Sequence, residues 1–176
     1  EATWTDGVPF QDADVYDGIS RGDVWNLTIS MDRPTFINFL NPNRTFFFNT
    51  QWFLQAADGH GEGWTQNGPV NVAATFTVQT GYFQDRLLPA MTAIYDFRSA
   101  SGGVLPSIAW RFTENFSATV GANVFWGRWQ AKRAPLNDPA ISVNRVGEHA
   151  NQQWVENGLS VIRERDEVWM RLRYTF

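Results

Sequence analysis

The chain has 176 residues, a formal net charge of −4 and no cysteine. The lack of cysteine excludes a disulfide framework and a thiolate metal site. The acidic balance gives no basic surface for nucleic acid, which is therefore not an expected partner. Aromatic residues make up 15% of the chain, yet the mean hydropathy of −0.33 is that of a polar protein. No run of about 18 apolar residues is present, which argues against a membrane-spanning helix.

Alternation of apolar and polar residues at period two is the main pattern of the chain and predicts β-strands. Residues 1–21 are predicted to form an outer loop, and residues 22–126 are predicted to form about six strands. In each strand the apolar residues share one face. From the first strand to the sixth, the predicted apolar face carries Trp25, Leu27, Ile29 and Met31; Phe46, Phe48, Trp52 and Leu54; Val70, Val72, Ala74, Phe76, Val78 and Tyr82; Met91, Ala93, Tyr95 and Phe97; Val104, Pro106, Ile108, Trp110 and Phe112; and Phe116, Ala118, Val120, Ala122, Val124 and Trp126.

The rest of the chain is predicted to form a long outer loop over residues 127–158 and a C-terminal strand over residues 159–176. The Asn157-Gly158 pair favours a type I′ turn. Residues 152–156 are therefore expected to pair with residues 159–164 as a ribbon above the membrane. The last strand carries Val168, Met170, Leu172, Tyr174 and Phe176 on its apolar face.

Strands with one apolar and one polar face occur in soluble β-sandwiches and in transmembrane β-barrels. The aromatic residues favour the barrel, because with Phe176 at the periplasmic side they fall into two girdles, as they do at the two membrane interfaces. We predict an all-β, antiparallel up-and-down barrel in the bacterial outer membrane, with about seven or eight strands visible and lipid as a partner; a soluble sandwich is the alternative. The girdles are Trp25, Trp52, Tyr95, Phe97 and Trp126 near the outer ends, and Phe46, Tyr82, Phe112, Phe116, Tyr174 and Phe176 near the inner ends.

Two parts of the sequence carry a family resemblance. Residues 31–48 and 163–176 resemble a family of large proteobacterial outer-membrane proteins classed as a domain of unknown function. The resemblance implies that this chain is the C-terminal part of a larger barrel, with porin-like passage of hydrophobic or amphipathic compounds, beside an inner-membrane transporter. It implies no catalytic residue. The terminal residues Met170, Leu172, Tyr174 and Phe176 resemble the signal that the barrel-assembly machinery reads, which makes that machinery an expected partner.

The number of strands requires a further partner. Seven strands are an odd number, and an open sheet in lipid leaves unsatisfied backbone groups at both edges. Missing N-terminal strands are the first expectation. An eighth strand would instead close a small barrel, and several copies of the chain forming one barrel is the third alternative.

Six residues are predicted to line the pore. Arg111, Arg171 and Arg173 come from neighbouring strands and could form a positive patch that favours anions. They could equally be paired with inward carboxylates such as Glu167, or with groups on other strands, because desolvated charges are usually paired. Asp96 and Asn123 complete the set.

The remaining candidate sites carry little chemistry. Asp12, Asp14 and Asp17 lack the spacing of a calcium-binding EF-hand and are interpreted as a solvated acidic loop, so no metal is expected. The Gly-rich run at residues 59–63 lacks the Lys and Ser/Thr of a phosphate-binding loop and is interpreted as flexible.

The two histidines, His60 and His149, lie far apart in presumed outer loops, and no motif places either beside a catalytic partner. We therefore expect neither an enzyme nor a cofactor. The sequence favours an outer-membrane pore or channel for small solutes. A binding or structural protein that uses the long outer loops is the second hypothesis, and an outer-membrane hydrolase is a distant third.

Overall fold

The computed structural model describes residues 1–12, 15–61, 64, 68–127, 131–133, 152–154, 159 and 162–176. The regular structure of these residues consists of β-strands. They are β1 (Ala2–Gln11), β2 (Ile19–Thr35), β3 (Phe46–Ala57), β4 (Val70–Gln79), β5 (Leu87–Asp96), β6 (Ser101–Arg111), β7 (Phe116–Trp126), β8 (Ala131–Arg133), β9 (Gln152–Trp154) and β10 (Glu167–Tyr174). Among the described residues we find no helix that could span a membrane.

Eight strands form one antiparallel sheet in the order β1-β2-β3-β4-β5-β6-β7-β10. Each strand therefore lies beside its neighbour in sequence, except that β10 follows β7. The all-β class and the predicted number of strands are confirmed. The sheet is not closed, because β1 and β10 are its two edges and do not pair with each other. The strands β8 and β9 pair separately.

Both faces of the sheet follow the predicted alternation from β2 to β10. Residues that pair directly across antiparallel strands point to the same face, and Ile29, Trp52, Ala74 and Tyr95 pair in one continuous row. The apolar face carries Trp4, Trp25, Leu27, Ile29, Met31, Phe48, Trp52, Leu54, Val72, Phe76, Val78, Met91, Tyr95, Val104, Ile108, Trp110, Val120, Val124, Trp126, Val168, Met170, Leu172 and Tyr174. The polar face carries Asn26, Thr28, Ser30, Asp32, Asn49, Gln51, Gln55, Asn71, Thr75, Thr77, Thr92, Ser107, Arg111, Ser117, Thr119, Asn123, Glu167, Trp169, Arg171 and Arg173.

The two ends of the sheet carry different connections. The end that we call the terminal end holds residues 36–45, 80–86 and 112–115 and the first and last residues of the sequence. The opposite end, which we call the loop end, is where β1, β3, β5 and β7 end, and it holds the described residues 12, 15–18, 58–61, 64, 68–69, 97–100 and 127. The short connection at residues 97–100 turns tightly, with Ala100 at a φ of 49°.

The aromatic residues of the apolar face lie in a band that shifts along the strands. Trp126 of β7 shares a paired row with Ile29 of β2, whereas Trp25, the aromatic residue of β2, lies four residues nearer the loop end. Phe48 of β3 shares a row with Pro106 of β6, six residues short of Phe112. At the loop-end margin Trp126, Tyr95 and Trp52 share one paired row, and the shift of four residues occurs at Trp25 on β2. At the terminal-end margin the shift from β6 to β3 is four to six residues, because Phe46 and Phe48 both lie nearer the loop end than Phe112.

The prediction of a loop over residues 1–21 is wrong, because residues 2–11 form strand β1. A β-bulge interrupts the pairing of β1 with β2 between Thr5 and Val8. Gly7, inside the bulge, has a φ of 65°, which glycine adopts without steric cost. The extra residue moves the side chains that follow it to the opposite face. The alternation of the strand is thereby reversed halfway, and the period-two pattern is lost.

The C-terminal strand is shorter than predicted. It begins at Glu167, and neither Leu159 nor Ile162 belongs to a strand. The predicted ribbon is also wrong in its partner, because β9 pairs with β8, and the described residues 159 and 162–164 belong to no strand. A strand pairing between distant segments leaves no signal in either segment alone. The predicted Asn157-Gly158 turn lies outside the described residues.

Large apolar side chains are mostly exposed in this sheet. The described core consists of Val24, Ala57 and Trp64, with Val8 and Phe10 packed against it. Trp64 lies over Gly22 on the polar face, and its ring stacks on Phe10 with centroids 4.3 Å apart. The apolar face, in contrast, is largely exposed: Ile29 is 58% exposed and Met170 68%.

Candidate functional site

The three predicted pore arginines lie together on the polar face, near the terminal end. Arg111 of β6 pairs with Ser117 of β7, and Ser117 pairs with Arg173 of β10. Because neighbouring strands are about 4.8 Å apart, the backbones of Arg111 and Arg173 are separated by roughly 10 Å. Arg171 pairs with Thr119, two residues nearer the loop end. We call these three residues the arginine cluster, and all three side chains are exposed.

Trp169 lies next to the arginine cluster on β10 and was not predicted as a site residue. It pairs with Gly121 of β7, and a Cβ atom added to this glycine would overlap the Trp169 indole. Glycine therefore allows the indole to lie flat on the sheet. The guanidinium carbon of Arg171 is 5.7 Å from the centre of the Trp169 ring, which is a cation–π distance. This contact holds the guanidinium without using its N–H donors.

The arginine cluster makes no ion pair within the described residues. The ion pairs found there join Arg44 to Asp85 and Arg163 to Glu164. Glu167, a predicted partner, instead accepts a hydrogen bond from the Asn123 side-chain amide. Glu167 therefore forms no ion pair with the cluster among the described residues, and pairing with groups on other strands stays a prediction.

The remaining predicted pore residues lie away from the arginine cluster. Glu167 and Asn123 form a separate pair, four residues up β10 from Arg171. Asp96 lies at the loop end, where its Oδ1 atom accepts hydrogen bonds from the backbone N–H groups of Arg98 (2.9 Å) and Ser99 (3.1 Å). The Asp96 carboxylate thus fixes the turn between β5 and β6. Sequence spacing identified the face of these residues, but it could not give their hydrogen-bond partners.

The polar face is linked by side-chain hydrogen bonds between neighbouring strands. Gln55 donates to Asn26 over 3.2 Å, and the hydroxyls of Thr77 and Thr92 are 3.0 Å apart. The Oδ1 atom of Asn71 is buried without a partner among the described protein atoms. A buried carbonyl oxygen of this kind usually bonds to water. The polar face is therefore suited to contact with water.

Trp64 covers part of the polar face at the loop end. Its indole is 2% exposed and covers Val24 and Ala57. The packing of Trp64 on this face was not predicted, because Trp64 follows a Gly-rich run that was interpreted as flexible. Within that run, Gly59 has a φ of 74°, whereas residues 62 and 63 lie outside the described part.

Asp12, Asp14 and Asp17 were predicted to form a solvated acidic loop, and for Asp12 this prediction is wrong. Asp12 is 7% exposed and accepts a hydrogen bond from the Ser20 hydroxyl. Its backbone also forms a bridge to Trp64, which explains the burial. Asp17 accepts from the backbone N–H of Ile19. Asp14 is not among the described residues, and those residues hold no cluster of three metal-ligating side chains.

The structure gives one histidine a structural contact. The Nε2 atom of His60 accepts a hydrogen bond from the backbone N–H of Gly68 over 3.0 Å, and its ring is 5.4 Å from that of Trp64. This nitrogen is the atom that would accept a proton from a serine nucleophile. His149 lies outside the described residues.

A buried amide fixes the connections at the terminal end. Asn41 is 2% exposed, and its Nδ2 donates to the Thr80 hydroxyl (3.1 Å) and to the Gly81 carbonyl (2.8 Å). Its Oδ1 accepts from the backbone N–H groups of Asn43 and Arg44, both at 3.2 Å. The connection after β2 is thereby attached to the turn after β4.

This turn has an unusual backbone. Phe83, Gln84 and Asp85 have φ values of 53°, 59° and 64°, so three consecutive non-glycine residues are left-handed. Arg44 binds Asp85 over 2.7 Å. Two cavities of about 340 and 450 Å³ flank the turn. Arg44, Gln79 and Leu88 are among the residues lining the first, and Gln84, Arg86, Arg111 and Glu114 are among those lining the second.

The predicted assembly signal lies on the free edge of the sheet. Met170, Leu172 and Tyr174 share the apolar face of β10, and the rings of Tyr174 and Phe176 are 5.1 Å apart. β10 pairs with β7 alone in the eight-stranded sheet. These side chains are thus open to a partner on both the face and the edge.

Comparison with known proteins gives no match: no family model fits the chain, and no curated protein or solved structure is similar to it. The resemblance to the outer-membrane family therefore stays a prediction.

Proposed function

We propose that the chain forms part of the wall of a β-barrel pore in the bacterial outer membrane, through which small solutes pass. The main observation that supports this proposal is the exposed apolar face, which continues across all eight strands. In water each large apolar side chain left exposed forgoes roughly 1.5–3 kcal/mol of burial free energy. In a bilayer the same side chains contact acyl chains, and the cost disappears.

The shift of the aromatic band supports the same proposal. Strands of a barrel tilt by about 35–45° from its axis, and their register is staggered accordingly. A band that lies level in a membrane must then move along successive strands. The terminal-end aromatic residues of this sheet move in that way from Phe112 on β6 to Phe46 and Phe48 on β3, and at the loop end Trp25 on β2 lies four residues beyond the row that Trp126, Tyr95 and Trp52 share. A soluble sandwich core gives no reason for aromatic residues at both margins.

The polar face supports a hydrated interior. Its amides, hydroxyls and arginines bond to one another or remain open, and the residue that covers part of it, Trp64, lies at the loop end. Small barrels without a channel fill their interior with packed side chains. The described core of this sheet holds Val24, Ala57 and Trp64, which is little for such a purpose.

Closure of the barrel needs further strands. Each unpaired backbone group costs several kcal/mol in hydrocarbon, and the edges at β1 and β10 are open. The partner is the rest of the barrel, supplied by additional strands of the same protein or by another chain. The apolar residues from Met170 to Phe176 are the proposed signal for the barrel-assembly machinery.

Planar-bilayer recording of the reconstituted protein tests the pore. We expect stepwise conductance and solute flux into liposomes. Thr75→Trp adds bulk to the polar face and should lower the conductance of each step, whereas Ala74→Trp adds it to the apolar face and should leave the conductance unchanged. Absence of current at every voltage, together with absence of liposome flux, would reject the proposal.

A further inference from the structure

The arginine cluster holds positive charge that the described protein does not neutralise. The nearest carboxylate on the same face of β10 is Glu167, four residues or about 13 Å of strand from Arg171, and it bonds to Asn123. Around the terminal end, Asp85 is bound by Arg44. Glu114 and Asp85 line the cavity that Arg111 and Arg86 also line, so the charges of that cavity balance and the excess lies with Arg171 and Arg173 on β10.

The number of charged side chains also gives a positive local charge. The polar face and turns of the terminal end carry five arginines and four carboxylates, so the side chains there sum to +1. The chain as a whole has a net charge of −4. Positive charge is therefore concentrated here against the overall balance, where it attracts anions. The five arginines are Arg44, Arg86, Arg111, Arg171 and Arg173, and the four carboxylates are Glu1, Asp32, Asp85 and Glu114.

Trp169 gives the arginine cluster a defined geometry. Its indole lies on Gly121, and the Arg171 guanidinium lies 5.7 Å from the centre of the ring. A guanidinium held in this way keeps its planar set of donors for a carboxylate, which it can bind with two parallel hydrogen bonds. Arg173 follows two residues later on the same face, about 7 Å along the strand. The exposed part of the indole can contact an apolar or aromatic group attached to the carboxylate.

We propose that the arginine cluster and Trp169 bind small organic carboxylates, and that the pore is consequently selective for anions. This inference rests on the pore function proposed above. The arginines contact the carboxylate, and Trp169 is a positioning residue that also contacts the body of the solute. Amphipathic carboxylates are the expected substrate class, with aromatic ones bound better than acetate.

Benzoate titration of the protein in detergent micelles tests the site directly. The triple variant Arg111→Gln, Arg171→Gln and Arg173→Gln should bind benzoate at least tenfold more weakly than the wild type. Arg33→Gln is the matched control, because Arg33 pairs with Phe48 and lies on the apolar face; this variant should bind as the wild type does. Trp169→Leu should weaken benzoate several-fold and acetate much less.

Reversal potentials in a potassium chloride gradient provide the second measurement. The wild-type pore should prefer chloride to potassium, and the triple variant should lose that preference while the Arg33→Gln pore retains it. Circular dichroism of every variant checks that the sheet has formed. Equal benzoate affinity in the wild type and the triple variant would overturn the inference, as would a conducting pore without anion preference. Benzoate binding without any conductance would instead contradict the pore function and leave the carboxylate site standing.

Discussion

Asn41 shows how a single residue can determine the structure of the terminal end. Its amide makes four hydrogen bonds in a site that is 2% exposed. Asn41→Ala leaves buried donors and acceptors without partners, at about 1–3 kcal/mol for each group. We expect the free energy of unfolding to fall by roughly 2–3 kcal/mol, measured by urea unfolding in phospholipid vesicles.

The matched control for this prediction is Asn43→Ala. The Asn43 side chain is exposed, and its contribution is the backbone N–H, which alanine retains. This control should change stability by less than about 0.5 kcal/mol. Equal losses in the two variants would mean that the Asn41 amide does not hold the two connections together.

Single residues also mark what sequence could and could not predict about the site. The arginine cluster was identified because alternation assigns each residue to a face, and all three residues are of the type that binds anions. Trp169 was missed because its significance depends on Gly121, which lies 48 positions earlier and pairs with it only in the sheet. Asn41 was missed for the same reason, since its partners Thr80 and Gly81 belong to another connection.

The turn between β4 and β5 stores backbone strain. Each non-glycine residue in the left-handed region costs about 1–2 kcal/mol, and this turn has three such residues in succession. Gln84→Gly relieves one of them, offset in part by the greater freedom of glycine in the unfolded chain. We expect a net gain of about 0.5–1 kcal/mol in urea unfolding.

Gln79→Gly is the control for this element. Gln79 lies in β4, where the backbone is extended and glycine lowers stability by about 0.5–1 kcal/mol. The two substitutions exchange the same residue types and should therefore have opposite signs. A loss of stability in Gln84→Gly would show that the left-handed turn is not strained.

Regular strands were predictable from the sequence, whereas interrupted ones were not. β7 has the predicted bounds, because its alternation runs unbroken from Phe116 to Trp126. β1 was missed because the bulge near Gly7 reverses its alternation. The pairing of β8 with β9 was missed because it joins segments about 20 residues apart, and neither segment is long enough to show a pattern.

At the scale of the whole molecule, the sheet has two different surfaces and two open edges. The apolar face is exposed across its width, and the polar face carries most of the charge. A soluble protein would cover the apolar face with a second layer. The eight strands of the main sheet form a single layer, so lipid is the covering that the proposed function supplies.

Spin labelling in phospholipid vesicles tests this arrangement most directly. Labels replace Val120 and Leu172 on the apolar face, and Thr119 and Arg171 on the polar face, which are their neighbours in sequence. If the apolar face contacts acyl chains, the labels at Val120 and Leu172 collide mainly with oxygen, and those at Thr119 and Arg171 mainly with a water-soluble nickel complex. The membrane barrel would be contradicted if the labels at Val120 and Leu172 were shielded from both reagents, or if they collided mainly with the nickel complex.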